Sequence, residues 1–250
     1  MIRQIILKFC SLTHLDHWII KIKKGPGKGI KWTLLPYSMY WRGETEKEMD
    51  KIIDNLNLKT NAIIWDLGAH FGYYSLIFAR LATQGKVYAF EPDPEAFKRL
   101  LYHLKINRTK NVQALRLAVG EKNKSVFLGQ KKGAGEPTNK IAAQGLSMKM
   151  AKLDSLVQQK KIKKPDLIKI DIEGYGGEAV LGSLKTIRKQ KPILIFSFHN
   201  DQEIKKTRKI LEPLGYKAFS ITKNIVEWNK ILETVFLATA KISYNKKIIS

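Results

Sequence analysis

From Asn61 onward, short apolar runs alternate with amphipathic stretches. Ala62–Trp65 is an unbroken apolar run of strand length, the pattern of a strand buried on both faces. Tyr73–Ala82 reads as the helix that follows, Lys86–Phe90 as a second strand, and Pro94–Ile106 as a second helix with Phe97, Leu100, Leu101 and Leu104 facing inward. Val112–Val119 is expected to form one strand, and the polar, glycine-containing stretch Gly129–Gly145 no element. The alternation resumes with strand Leu167–Ile172, helix Glu178–Arg188, strand Ile193–Phe198 and helix Glu203–Leu214, then strands near Lys217–Thr222 and Thr234–Ala240. Strands alternating with helices predict an α/β fold, a doubly wound and mainly parallel sheet with helices on both faces. Such sheets bind ligands at the carboxyl ends of their strands, near the switch in strand order.

Before Asn61 the pattern is different. Gly25–Gly29 reads as a turn, and Thr45–Leu58 as a helix with Met49, Ile52, Ile53 and Leu56 on one face. The expected organisation is an extension over 1–58 and an α/β domain over 59–250. The 44% apolar content supports a substantial core. No apolar run approaches the roughly 18 residues that span a bilayer, and Lys8, His14, Asp16 and His17 interrupt a signal-peptide core. The single Cys10 fits a reducing compartment, so a cytoplasmic location is expected. The net charge of +23, from 45 basic and 22 acidic residues, suits an anionic partner. Most lysines, such as Lys160, Lys161, Lys163 and Lys164, are spread as solvated charges. Residues 1–33 differ, with seven basic residues against Asp16 and the apolar Ile5, Ile6, Trp18, Ile19 and Ile20. The N-terminal 40 residues are expected either to cover the acceptor side and meet an anionic surface, such as the inner face of a membrane, or to pack on the sheet edge.

Candidate chemistry gathers at the strand ends. Trp65-Asp66-Leu67-Gly68-Ala69-His70-Phe71-Gly72 follows a buried strand and opens a helix. Gly68 allows a tight turn and close approach of the backbone, and Gly72 allows close packing at the helix start. A dinucleotide site would favour three glycines around a pyrophosphate, whereas Asp66 would repel that group and suits a cationic amino group such as that of a methionine moiety. Glu91, in Phe90-Glu91-Pro92-Asp93, follows Asp66 by 25 residues, where an acidic side chain binds ribose hydroxyls. Asp66 would otherwise serve as a helix-capping carboxylate.

These residues resemble those of the FkbM-like methyltransferases, a branch of the class I S-adenosylmethionine enzymes. The likeness runs from Gly43-Glu44-Thr45-Glu46 through Asp66–Tyr74, Ala89-Phe90-Glu91-Pro92, Asn107, Asn111-Val112, Ala118-Val119-Gly120 and Leu153-Asp154-Ser155-Leu156. Its most specific stretch is Asp166–Gly174, and it ends at His199. The resemblance implies a seven-stranded sheet with an antiparallel last strand, S-adenosylmethionine as cofactor, and O-methylation. It implies a cofactor site of Asp66, Gly68, Ala69, Gly72 and Glu91, with Val119 at the adenine. The chain departs from the family pattern at Gly176, where an acidic residue is usual, and at Ser197, where a carboxylate is frequent.

Methyl transfer is an in-line displacement, so alignment dominates and a base assists. Asp171 and Glu173, two apart on a strand, are expected to share a face, and His199 ends the next strand. One of the three would take the acceptor proton. Alternatively Lys169, Asp171 and Glu173 tie strand to helix as an ion-pair network, and His199 caps a turn. No ligand spacing indicates a metal site, and His14, His17 and His103 carry no functional argument. A serine hydrolase is excluded, because Gly182-Ser183-Leu184 lacks the second glycine of a nucleophile elbow. The expected activity is O-methylation of a hydroxyl on a sugar, glycan, lipid or secondary metabolite. Net charge raises RNA as another acceptor, although no RNA-binding module and no Asn-Pro-Pro-Tyr-like motif is present. Gly176 and Ser197 raise a third reading, a cofactor-binding module without turnover.

Overall fold

The computed structural model describes residues 18–34, 39–43, 47–129, 141–219, 225–228, 231 and 234–239. Five strands form the parallel heart of an eight-stranded sheet: β3 (Ile63–Leu67), β4 (Lys86–Phe90), β5 (Val112–Leu115), β10 (Leu167–Ile170) and β11 (Ile193–Ser197). In space they run β5-β4-β3-β10-β11. Beyond β11 lies β14 (Thr234–Thr239), antiparallel to it and to β12 (Tyr216–Phe219). The two-residue β13 (Ile225–Val226) adds an outer edge, giving eight strands where the resemblance implied seven. The chain winds outward from β3 to β5 and then returns to β10 on the other side of β3. The switch therefore lies between the carboxyl ends of β3 and β10.

Side-chain alternation builds two cores. Ile64, Val87, Ala89, Leu167, Ile193 and Ile195 face one layer. Trp65, Leu67, Tyr88, Phe90, Ile168, Ile170, Leu194 and Phe196 face the other. The first layer holds α1 (Lys47–Asp54), α2 (Tyr73–Leu81), α3 (Pro94–Ile106) and an N-terminal hairpin of β1 (Ile19–Lys21) and β2 (Lys31–Thr33). The second holds α4 (Leu153–Gln158), α5 (Gly176–Gly182), α6 (Leu184–Gln190) and α7 (Asp201–Leu211). The hairpin turns at 25–29, as its glycines indicated, and buries Ile22, Ile30 and Trp32 in the first core. Its β2 edge is occupied by α3: Asn107 Oδ1 accepts from Lys31 N at 2.8 Å and Nδ2 donates to Lys31 O at 2.7 Å. Trp32 stacks on His103 at 3.7 Å between centroids. Among the described residues no helix is long and apolar enough to cross a membrane.

Four expectations are corrected. Val112–Val119 is two strands, because a tight turn (Leu117 N to Leu115 O, 2.9 Å) sends β6 (Ala118–Val119) into a second sheet. That sheet, ordered β6-β9-β7-β8, also contains β7 (Lys124–Leu128), β8 (Ile141–Ala142) and β9 (Leu146–Ala151). Its period-two signal was present in Ser125-Val126-Phe127-Leu128, where Val126 and Leu128 are buried and Phe127 is exposed. Second, β8 lies inside the stretch expected to hold no element; residues 130–140 of that stretch are outside the described residues. Third, helix Glu178–Arg188 is α5 and α6, broken at Ser183, where Gly182 presses against the Gly120 carbonyl and Ser183 Oγ donates to Ala179 O at 2.7 Å. Fourth, Leu101 is 46% exposed; the inward face of α3 is Ala96, Leu100, His103 and Leu104, because the hairpin occupies the His103 side. The expected ends at Thr45, Thr222 and Ala240, and the arm residues 1–17, lie outside the described residues.

Candidate active site

At the switch point, β3 and β10 place Asp66 and Lys169 opposite one another in register and on one face. Lys169 interrupts an otherwise apolar strand and is 1% exposed, so its ammonium needs carboxylates to offset desolvation. Lys169 Nζ stands 3.3 Å from Asp66 Oδ1, 3.3 Å from Asp171 Oδ2 and 3.3 Å from the Gly68 carbonyl oxygen. The Tyr74 ring covers it at 5.3 Å. Ser75 of α2 donates to Asp66 Oδ2 at 2.5 Å. Asp66 is thus fully buried beneath the loop between β3 and α2, with Oδ1 facing the Lys169 ammonium.

That loop is pinned from two sides. Gly68 N and Ala69 N donate to Phe90 O at 3.0 and 2.9 Å, and Gly68 has φ of +80°. A Cβ on Gly68 would fall 1.9 Å from the Asp171 carbonyl oxygen, so the loop presses directly on the end of β10. Gly72, φ +88°, opens α2 with Leu100 packed where its side chain would stand. Glu91 ends β4: Oε2 accepts from His70 N at 2.7 Å and Oε1 from Asp93 N at 2.8 Å. Burial pushes the Glu91 carboxyl up to about 7 against the pull of those two N–H donors. Val119 is buried and belongs to the same core as Trp65, Tyr88 and Phe90.

The residues expected to share a strand face converge differently. β10 ends at Ile170, and Glu173 lies in a turn with φ of +22°. Asp171 and Glu173 instead approach His199 from two sides. Asp171 Oδ1 is 3.1 Å from Nε2, and Glu173 Oε2 is 3.8 Å from Nδ1. Burial would raise the Asp171 carboxyl, but the Lys169 ammonium and the His199 hydrogen bond outweigh it and hold it down at about 2. The hydrogen bond to Asp171 raises the His199 pKa above its ordinary value, outweighing desolvation, with Asp171, Glu173 and Glu203 adding charge. Lys169 and Asp171 do form an ion-pair network, which joins the ends of two strands.

The two departures from the family pattern also find a place. A Cβ on Gly176 would stand 2.5 Å from Glu203 Oε1, so this position has no room for a larger residue while Glu203 is there. Ser197 ends β11 and pairs with Thr234 of β14. Tyr175 packs against Ala118, Val126 and Met150, so the second sheet leans on the loop after β10. Sequence reasoning missed Ser75 and Glu203 and gave Lys169 only as a member of an ion-pair network with Asp171 and Glu173, not as the partner of Asp66. A lysine within Leu167-Ile168-Lys169-Ile170 was the available signal, since a buried cation requires an anion.

The donor set fits a cationic cofactor bearing a ribose. The three carboxyl groups of Asp66, Glu91 and Asp171 outnumber the single Lys169 ammonium around the glycine loop, which disfavours a pyrophosphate. Residues 66–218 match the model of the FkbM methyltransferase domain. The chain is 23% identical over 188 residues to the hexuronic acid methyltransferase AglP of Haloferax volcanii, covering 74% of this chain and 77% of that protein. It is 21% identical over 165 residues to the 2-O-methyltransferase NoeI of Sinorhizobium fredii, covering 58% of this chain and 66% of that protein. A solved methyltransferase FkbM from Methylobacillus flagellatus has the same fold, with TM-score 0.54 at 19% identity. That match covers 82% of this chain and 48% of the other. The matched span contains both the pinned glycine loop and the carboxylate–histidine cluster, and on it the chain belongs to the FkbM family of methyltransferases.

Proposed function

We propose that this methyltransferase uses S-adenosylmethionine to methylate a hydroxyl on a sugar or glycan. When bound, the cofactor supplies a methyl carbon on a positively charged sulfur. Glu91 would hold the ribose hydroxyls, and Asp66 would contribute negative charge from beneath the loop. Gly68, Ala69 and Gly72 shape that loop, and Val119 would line the adenine site. The Asp171–His199 pair is the observation that carries the acceptor side of this reading.

Asp171 is ionised at neutral pH and can only accept, so the proton of a neutral His199 sits on Nε2. Nδ1 is then the free base, facing Glu173 across 3.8 Å. When an acceptor hydroxyl displaces the neutral thioether from the methyl carbon, the carbon–oxygen bond forming as the carbon–sulfur bond breaks, Nδ1 would take the hydroxyl proton. The imidazolium formed lies between the Asp171 and Glu173 carboxylates. Such a base is worth roughly 10²–10⁴-fold, with alignment supplying on the order of 7–11 kcal/mol. The choice of a sugar hydroxyl rests on the two relatives, one a hexuronic acid methyltransferase and one a 2-O-methyltransferase. The test is transfer of labelled methyl into separated glycans, lipids, small metabolites and RNA. Label in glycans, reduced in His199→Ala, is expected; label confined to RNA, or none in any fraction, overturns the proposal.

A further inference from the structure

Glu203 is a carboxylate 3% exposed on the first turn of α7, with no role in cofactor binding or proton transfer assigned above. Asn200 caps that helix by accepting from Glu203 N at 2.9 Å. In a capping box the glutamate at this position turns back to the backbone N–H of the cap residue. Glu203 does something else. Oε2 reaches one residue further, to His199 N at 2.9 Å, and Oε1 crosses to Gly176 N at 2.7 Å. One buried carboxylate therefore joins the start of α5, which directly follows the loop carrying Asp171 and Glu173, to the loop after β11, which carries His199. Gly176 has no side chain where Oε1 lies, and a Cβ there would stand 2.5 Å from it. One oxygen is spent on the first N–H of α5 and the other on the loop before α7, which is more than capping one helix requires.

We propose that Glu203 is a positioning residue that clamps these two segments and so keeps His199 in register with Asp171 and Glu173. The inference rests on the acceptor-side reading given above. Removing the clamp removes the two bonds that tie the segment after β10 to the His199 backbone, beside the 3.1 Å Asp171–His199 contact. The charged groups around the imidazole are Asp171 and Glu173 from the first loop and Glu203 from α7. Glu178 of α5 stands further out and is paired with Lys206.

Two variants separate position from charge. Glu203→Gln keeps the length but offers one acceptor for two N–H groups. Glu203→Asp keeps the charge but is one methylene, roughly 1.5 Å, too short to reach both. Imidazole NMR would follow the titration of His199, with S-adenosylhomocysteine affinity and melting temperature measured on the same proteins. In both variants the His199 midpoint should fall by about half a pH unit or more as its contact with Asp171 loosens. S-adenosylhomocysteine affinity should stay within about threefold, because the loop between β3 and α2 is untouched. An aspartate variant that titrates like the wild type would reduce Glu203 to a charge and overturn the clamp. So would unmoved midpoints in both variants, or cofactor-analogue affinity lost in step with melting temperature. The base assignment reads out separately: His199→Ala transferring methyl at the wild-type rate would remove that role and leave the clamp to be judged on the imidazole shift.

Discussion

Replacing Asp171 with asparagine tests the site at its most connected point. The carboxylate has two charged partners, Lys169 at 3.3 Å and His199 at 3.1 Å. Lowering an aspartate from 3.8 to about 2 corresponds to about 2–3 kcal/mol of native stability. A depressed carboxyl contributes that stability above its unfolded pKa and loses it as pH falls from near 4 toward 2. Asp171→Asn should therefore lower stability by about 2 kcal/mol at neutral pH and flatten the acid limb of the stability curve. The loss stays below the 3–5 kcal/mol typical of a stranded buried charge, because Lys169 keeps Asp66. Transfer should slow by roughly 10²-fold or more, beyond any loss of folded protein, since the asparagine no longer fixes Nε2–H or stabilises the imidazolium. The wild-type rate should rise with pH as His199 deprotonates above its ordinary value, and in the variant this limb should move to lower pH. Urea unfolding from pH 3 to 8 and single-turnover transfer measure both effects. A rate that falls only in proportion to the folded fraction, with an unmoved pH limb, would refute the catalytic assignment.

Asp66→Ala and Glu91→Ala should each weaken S-adenosylmethionine binding by about 1–3 kcal/mol in calorimetry; unchanged affinity in both folded proteins would remove them from the cofactor site. His103 is buried, with Nδ1 donating to the Phe71 carbonyl and Nε2 accepting from Thr33, so the ring is neutral. Burial pushes its pKa down to about 4, and the unfolded chain binds the extra proton first. Stability should therefore fall by up to about 3 kcal/mol as pH drops from 6.5 to 4, an effect absent in His103→Gln. The hairpin exposes Trp18 (60%) and Ile19 (48%) beside exposed Lys21 and Lys31. We propose contact with an anionic surface there: flotation with phosphatidylglycerol vesicles should exceed that with neutral vesicles, weaken with salt, and drop in Lys21→Glu/Lys31→Glu. Equal flotation with both lipids would exclude it.

What the sequence determined by itself is local. Periodicity placed the five parallel strands and helices α2, α3 and α7, with Lys86–Phe90 and Pro94–Ile106 matched to the residue, but not α4 or the break between α5 and α6. The glycine loop and Glu91 were legible because a tight turn and a strand-end carboxylate are short-range features. Tertiary structure decided everything that depends on which segments become neighbours. The apolar run Val112–Val119 says that it is buried but not that it serves two sheets, because both environments demand the same residues. Likewise, α3 turns His103 rather than Leu101 inward only because a hairpin 70 residues upstream lies on that side. The register of β3 against β10 makes Asp66 and Lys169 an ion pair. The close of two loops 28 residues apart makes Asp171 and His199 a pair. Glu203 looked like one more polar residue at a helix start, and its two bonds to separate segments exist only once α7 has packed against the sheet. Charge partners across a fold follow from register and loop geometry, which no stretch of sequence encodes alone.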